Sequence, residues 1–183
     1  MNDERHPLLI LGLGNVLCAD DGVGVTAVTR LLESWEPPEG VRVMDGGTLG
    51  LALLPYLQDA RRVLIVDAVR ADAPPGSPVR LEGDEVAPAV AARLSPHQVG
   101  VADLLDGARW LGTYPEVVVL LGVVPATIEL GLARTPAVEA AIPDLVSRVL
   151  AEAALFGFRF QPRGNEEVFD SGVRAGPIRA ALL

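Results

Sequence analysis

Two kinds of apolar pattern alternate along the chain. Segments rich in valine, leucine and isoleucine occupy residues 8–13, 62–69 and 116–124, with Val63-Leu64-Ile65-Val66 a continuous apolar run, the form taken by parallel strands buried on both faces. Between them, apolar positions recur three and four apart. Residues 22–35 place Val25, Val28, Leu31 and Leu32 on one helical face, and residues 99–111 do the same with Val101, Leu104, Leu105 and Ala108. Residues 135–156 predict a last long helix, with Thr135 at the N-cap and Pro136 in its first turn. Shorter elements fill the gaps: a strand at 41–44, a helix over 49–57 that Pro55 kinks or breaks, an edge strand at 79–82 and a short helix near 87–92. Pro37, Pro38 and Gly40 end the first helix, and the proline-rich stretch 71–78 is a turn.

Strands alternating with helices predict a three-layer α/β/α domain with a mostly parallel central sheet. In that topology Asp20, Asp21, Asp45 and Asp67 all fall just after the carboxyl ends of strands. They converge on one sheet edge, the place where open α/β sheets bind ligands. Residues 1–157 form one domain in this reading. Residues 158–183 lose periodicity and are expected as a flexible or loosely docked tail.

Composition narrows the function. A chain of 183 residues can bury roughly 70% of the surface its unfolded form exposes. The 24 acidic and 15 basic side chains leave a net charge of −9, which argues against nucleic acid and for a protein or cationic partner. Cys18 is alone, so there is no internal disulfide framework and no multi-cysteine zinc site. It is read as a small buried packing residue. The N-terminus lacks the cationic head and apolar core of a signal peptide. No apolar run reaches the ~20 residues of a membrane span. A cytoplasmic monomer without membrane contact is the expectation.

The chemistry rests on few residues. Asp20 and Asp21 sit where a strand gives way to a helix, and Asp20 reads first as a helix cap. Asp67 is different. It interrupts the most apolar strand at its buried end, where a charge is costly unless a cation or donors meet it. His97 lies in Ser95-Pro96-His97-Gln98, at a loop-to-helix entry. A lone histidine is more often structural than a ligand, and the other histidine, His6, belongs to an N-terminal extension. Taken together, Asp21, Asp67 and His97 offer carboxylate oxygens and one imidazole nitrogen. That set suits a divalent first-row metal with open coordination positions. Gly12-Leu13-Gly14 is a poor dinucleotide turn: Leu17 replaces the third glycine, and Asp20-Asp21 would repel a pyrophosphate. Neither a Gly-x-Ser-x-Gly elbow nor a P-loop lysine occurs.

Gly12-Leu13-Gly14-Asn15-Val16-Leu17 with Asp20-Asp21-Gly22-Val23-Gly24 resembles the opening signature of the hydrogenase maturation proteases. The likeness continues through Asp45-Gly46-Gly47-Thr48, Leu64-Ile65-Val66-Asp67-Ala68 and Ser95-Pro96-His97-Gln98-Val99-Gly100. Gly122-Val123-Val124-Pro125 and Thr135-Pro136-Ala137-Val138-Glu139 extend it, so that it spans about residues 8–155. The resemblance implies a phosphorylase/hydrolase-like α/β/α fold and an endopeptidase that removes a short C-terminal extension from the large subunit of a nickel–iron hydrogenase. It makes Asp21, Asp67 and His97 the catalytic, metal-contacting trio; some members carry glutamate at the first position. The nickel is implied to belong to the substrate and to be contacted transiently. Gly46-Gly47-Thr48 would shape the cleft beside it, unless it is an ordinary turn.

Two other readings use the same residues. A nickel carrier would hold the metal on the trio and cleave nothing. A peptidyl-tRNA hydrolase-like esterase shares the Gly12-Leu13-Gly14-Asn15 opening, but Val16 replaces the family's proline, no histidine follows before His97, and the net charge opposes tRNA.

Overall fold

A computed structural model describes residues 5–91 and 100–164. The elements run in the order β1 (Leu8–Leu13), α1 (Val23–Ser34), β2 (Trp35–Glu36), β3 (Val41–Gly47), α2 (Leu54–Gln58), β4 (Arg62–Ala68), β5 (Pro78–Glu82), α3 (Val86–Ala91), α4 (Val101–Trp110), β6 (Val117–Val123), α5 (Pro136–Leu155) and β7 (Gln161–Pro162). Single 3-10 turns precede α1 at Ala19–Gly22 and α2 at Gly50–Leu53. Five strands form the central sheet in the order β3-β1-β4-β6-β5. Neighbours are parallel except β5, which runs antiparallel to β6 at the edge.

Alternation along each strand divides the core in two. On one side Leu8 and Ile10 of β1, Leu64 and Val66 of β4, and Val119 and Leu121 of β6 pack against α1 and α5. On the other, Leu9 and Leu11, Val63 and Ile65, and Val118 and Leu120 pack against α2, α3 and α4. Both faces are covered, which is why the central strands read as unbroken apolar runs rather than as alternating ones. The three-layer expectation is met.

The local departures have simple causes. Pro55 stands in the first turn of α2 and starts that helix rather than breaking it, because an N-terminal N–H has no intrahelical partner to lose. Strand β3 continues through Asp45 to Gly47, so Asp45 pairs within the sheet opposite Gly12 instead of following it. Of the expected tail, residues 158–164 are described. Phe160 enters the core, β7 pairs with β2, and the Arg163 guanidinium donates to the Leu32 carbonyl at 2.7 Å.

Helix α1 lies so close to the sheet that only glycine fits at position 24. A Cβ there would stand 2.0 Å from the Val66 carbonyl oxygen and 2.5 Å from that of Leu13. Gly107, on α4, is the opposite case, since its Cβ would meet nothing nearer than a Leu54 methyl at 4.0 Å. Gly24→Ala is therefore expected to cost about 3 kcal/mol through overpacking against backbone. Gly107→Ala should gain about 0.5–1 kcal/mol of helix stability. Urea denaturation of the two variants checks both signs.

Candidate active site

The strand order creates a crevice. From the carboxyl end of β1 the chain passes to α1 on one face, whereas from β4 it leads, through β5, to α3 and α4 on the other. Strands β1 and β4 are neighbours, so their carboxyl ends flank a topological switch point, the usual ligand site of such sheets. Asp67 stands at that end of β4, and Asp20 and Asp21 leave β1 beside it.

Asp67 is fully buried. It pairs in register with Gly122 of β6, and its Oδ1 accepts the N–H of Ala68 at 2.7 Å. Alternation with Val63 and Ile65 directs it to the sheet face that α4 covers. Helix α4 begins at Val101, four positions after His97 in the sequence. His97 itself lies outside the described residues.

The loop from β1 is shaped by close backbone contact. Gly14 has a φ of +122°, and a Cβ on it would fall 1.8 Å from the Asp21 carbonyl oxygen. Asp21, half-exposed, folds back to accept the Asn15 N–H at 2.7 Å, and the Asn15 side chain in turn accepts the N–H of Leu17 at 3.0 Å. These bonds hold the Asp21 carboxylate at the lip of the crevice.

Asp20 does something that local sequence does not signal. Fully buried, it caps no helix of its own. Its Oδ2 accepts the N–H groups of Ala126 at 2.9 Å and Thr127 at 3.2 Å, and its Oδ1 accepts that of Thr135 at 2.7 Å. The Thr135 hydroxyl, expected to cap α5, also turns to this carboxylate. Burial works against the charge, but the donors from Thr135, Ala126 and Thr127 outweigh it and hold the Asp20 carboxyl below its ordinary value of 3.8. Beside it, backbone bonds join the two loops directly: Ala19 N–H to the Gly131 carbonyl at 2.7 Å and Gly131 N–H to the Leu17 carbonyl at 2.9 Å. Strand β4 lies between β1 and β6, so the joined loops reach across its carboxyl end from both sides. Cys18 takes part in this junction and is only partly buried, not the core residue expected.

Asp45, exposed on β3, is not joined to this network. Gly47 does contribute, its carbonyl accepting the Gly14 N–H at 3.1 Å. Among the described residues no three His, Cys, Asp or Glu side chains stand together as a metal site; the expected third member, His97, is not one of those residues. No helix among the described residues is long and apolar enough to cross a membrane.

Fold and site define an α/β domain with carboxylates at a switch-point crevice, a setting for catalysis on a bound partner. Comparison with known proteins makes the class specific. The family model for hydrogenase maturation protease matches residues 25–152. Hydrogenase 2 maturation protease of Escherichia coli K12 is 36% identical over 157 residues, covering 85% of this chain and 96% of that protein. The hydrogenase expression/formation protein HupM of Azotobacter chroococcum is 40% identical over 169 residues, 91% of this chain and 80% of that one. The solved structure of the hydrogenase maturating endopeptidase HybD from E. coli superposes with a TM-score of 0.81 at 36% identity, over 86% of this chain and 98% of that one. The chain belongs to the hydrogenase maturation protease family and is an endopeptidase of that kind.

A carboxylate with a lowered pKa contributes stability above its unfolded value, here 3.8, and that contribution is lost as pH falls through the folded value. Asp20→Asn removes the charge and mismatches an amide against these donors. It should cost about 3 kcal/mol near neutral pH, and the gap to wild type should narrow below pH 3.8. Urea midpoints measured from pH 7 to pH 2.5 test this.

Proposed function

We propose that the protein removes a short C-terminal extension from the large-subunit precursor of a nickel–iron hydrogenase, and that it recognises the precursor through the nickel already installed there. The metal is cargo of the substrate. Asp21 and Asp67 offer carboxylate oxygens and His97 an imidazole nitrogen, a hard and borderline donor set that leaves positions open for the precursor's own ligands. That contact registers the nickel-bearing region against the crevice and brings the scissile peptide to its lip. Hydrolysis then adds water across one C–N bond: hydroxyl joins the carbonyl carbon, and the departing amine takes the proton. One domain and one protomer suffice.

The single observation supporting this reading is Asp67, a fully buried carboxylate at the carboxyl end of a central strand. A hydrophobic side chain would serve the core better there. A carboxylate in that position is well suited to receive a cation delivered from outside.

The test is incubation with the cognate precursor, nickel-loaded and nickel-free, followed by intact mass spectrometry. Loss of a C-terminal peptide is expected only from the loaded precursor. Asp67→Asn and His97→Ala should each lower processing at least about 100-fold while keeping the wild-type circular dichroism. Wild-type rates in both variants would refute the assignment, and equal cleavage of both precursors would remove nickel from recognition.

A further inference from the structure

Large apolar side chains are exposed where the two joined loops turn outward. Leu130 is 87% exposed and Leu132 77%, and across the junction Leu17 is 55% and Val16 46% exposed; Ile128 belongs to the same loop. Single exposed leucines need no explanation, but a contiguous apolar group on one surface marks an interaction site. The backbone bonds between Ala19, Gly131 and Leu17 bring together the two segments that carry these five side chains. That surface is also held in place. The Asp20 carboxylate anchors the 126–135 loop at both ends, at Ala126 and Thr127 and again at Thr135. A surface fixed in this way loses little conformational freedom when a partner covers it.

Charge and position indicate the partner. Glu129 stands exposed among the leucines, Asp21 borders them, and neither makes an ion pair among the described residues. Nearby Arg134 is engaged by Glu139 at 2.8 Å. The patch is therefore apolar with unneutralised negative charge, and complements a protein surface of apolar side chains edged by Lys or Arg. It is also continuous with the crevice, because Asn15 and Asp21 lie in the same loop as Val16 and Leu17.

We infer that Val16, Leu17, Ile128, Leu130 and Leu132 form the docking surface for the protein substrate, gripping an apolar, basic-edged region of the precursor while its scissile segment enters the crevice. This rests on the proposed function. Docking of this kind supplies binding energy from parts of the substrate remote from the reacting bond.

The test uses the full chain and the nickel-loaded precursor, with binding and cleavage measured separately. Leu130→Asp/Leu132→Asp should raise KM and Kd at least tenfold, with kcat at saturating precursor within about twofold of wild type. Glu129→Lys should weaken binding at low salt and less so at high salt. Both side chains are exposed, so thermal unfolding should match wild type. Unchanged KM in the double leucine variant, with wild type cleaving normally, overturns the docking surface and leaves the protease reading intact. Leucine-dependent binding without cleavage by wild type supports the surface and refutes the proposed processing of this precursor. A wild-type dimer by sedimentation velocity that the double variant dissociates assigns the patch to a second copy of this chain and overturns the proposal.

Discussion

The buried carboxylate of Asp20 is the constraint from which the geometry of the candidate site follows. A charge taken out of water is tolerated only when donors replace the water, and the donors here come from residues 106 to 115 positions away. Folding cannot bury Asp20 without bringing the β6 exit loop onto the β1 exit loop. The N-terminus of α5 is held by the same carboxylate through Thr135, where the helix dipole favours negative charge. One side chain thus ties the start of the longest helix to the loop that carries Asp21.

The neighbouring aspartates show how environment separates a fully satisfied carboxylate from an accessible one. Asp20 receives several strong donors and is held ionised; nothing approaching from solvent could easily compete for its oxygens. Asp21 accepts one backbone N–H, enough to orient it, and remains half-exposed at the crevice. Asp67 follows the buried apolar run Val63–Val66 near the carboxyl end of its strand. Adjacent positions in sequence, Asp20 and Asp21, therefore have different environments, and the 3-10 turn at Ala19–Gly22 delivers them to different partners.

Much of this was legible in the sequence. The apolar runs at 62–69 and 116–124 located the central strands because both sheet faces are covered, and the helical spacing of Leu104, Leu105 and Ala108 identified the buried face of α4. The exits of β1 and β4 were readable for the same reason, which brought Asp21 and Asp67 to one edge. What escaped was long-range. Asp20 looks like a local cap, and Thr135 like the cap of its own helix, because local spacing cannot reveal that the two bond to each other. The exposure of Leu130 and Leu132 was equally hidden. A leucine-rich stretch reads as core until the sheet and both helical layers have been filled without it.

That last point bears on how such a protease achieves selectivity. A crevice with carboxylates at its lip presents negative charge, and charge alone carries little information about which protein approaches it. Apolar contact area remote from the reacting bond can supply that information, provided it is presented rigidly enough that docking also sets the register of the scissile peptide. Asp20 meets this requirement in a way that a surface hydrogen bond would not. It is buried, so the loop bearing Ile128, Leu130 and Leu132 cannot drift without exposing a satisfied charge to loss of its donors. The exposed apolar side chains of that loop and the carboxylate lip are then joined through one buried anchor, the arrangement that docking and alignment together require.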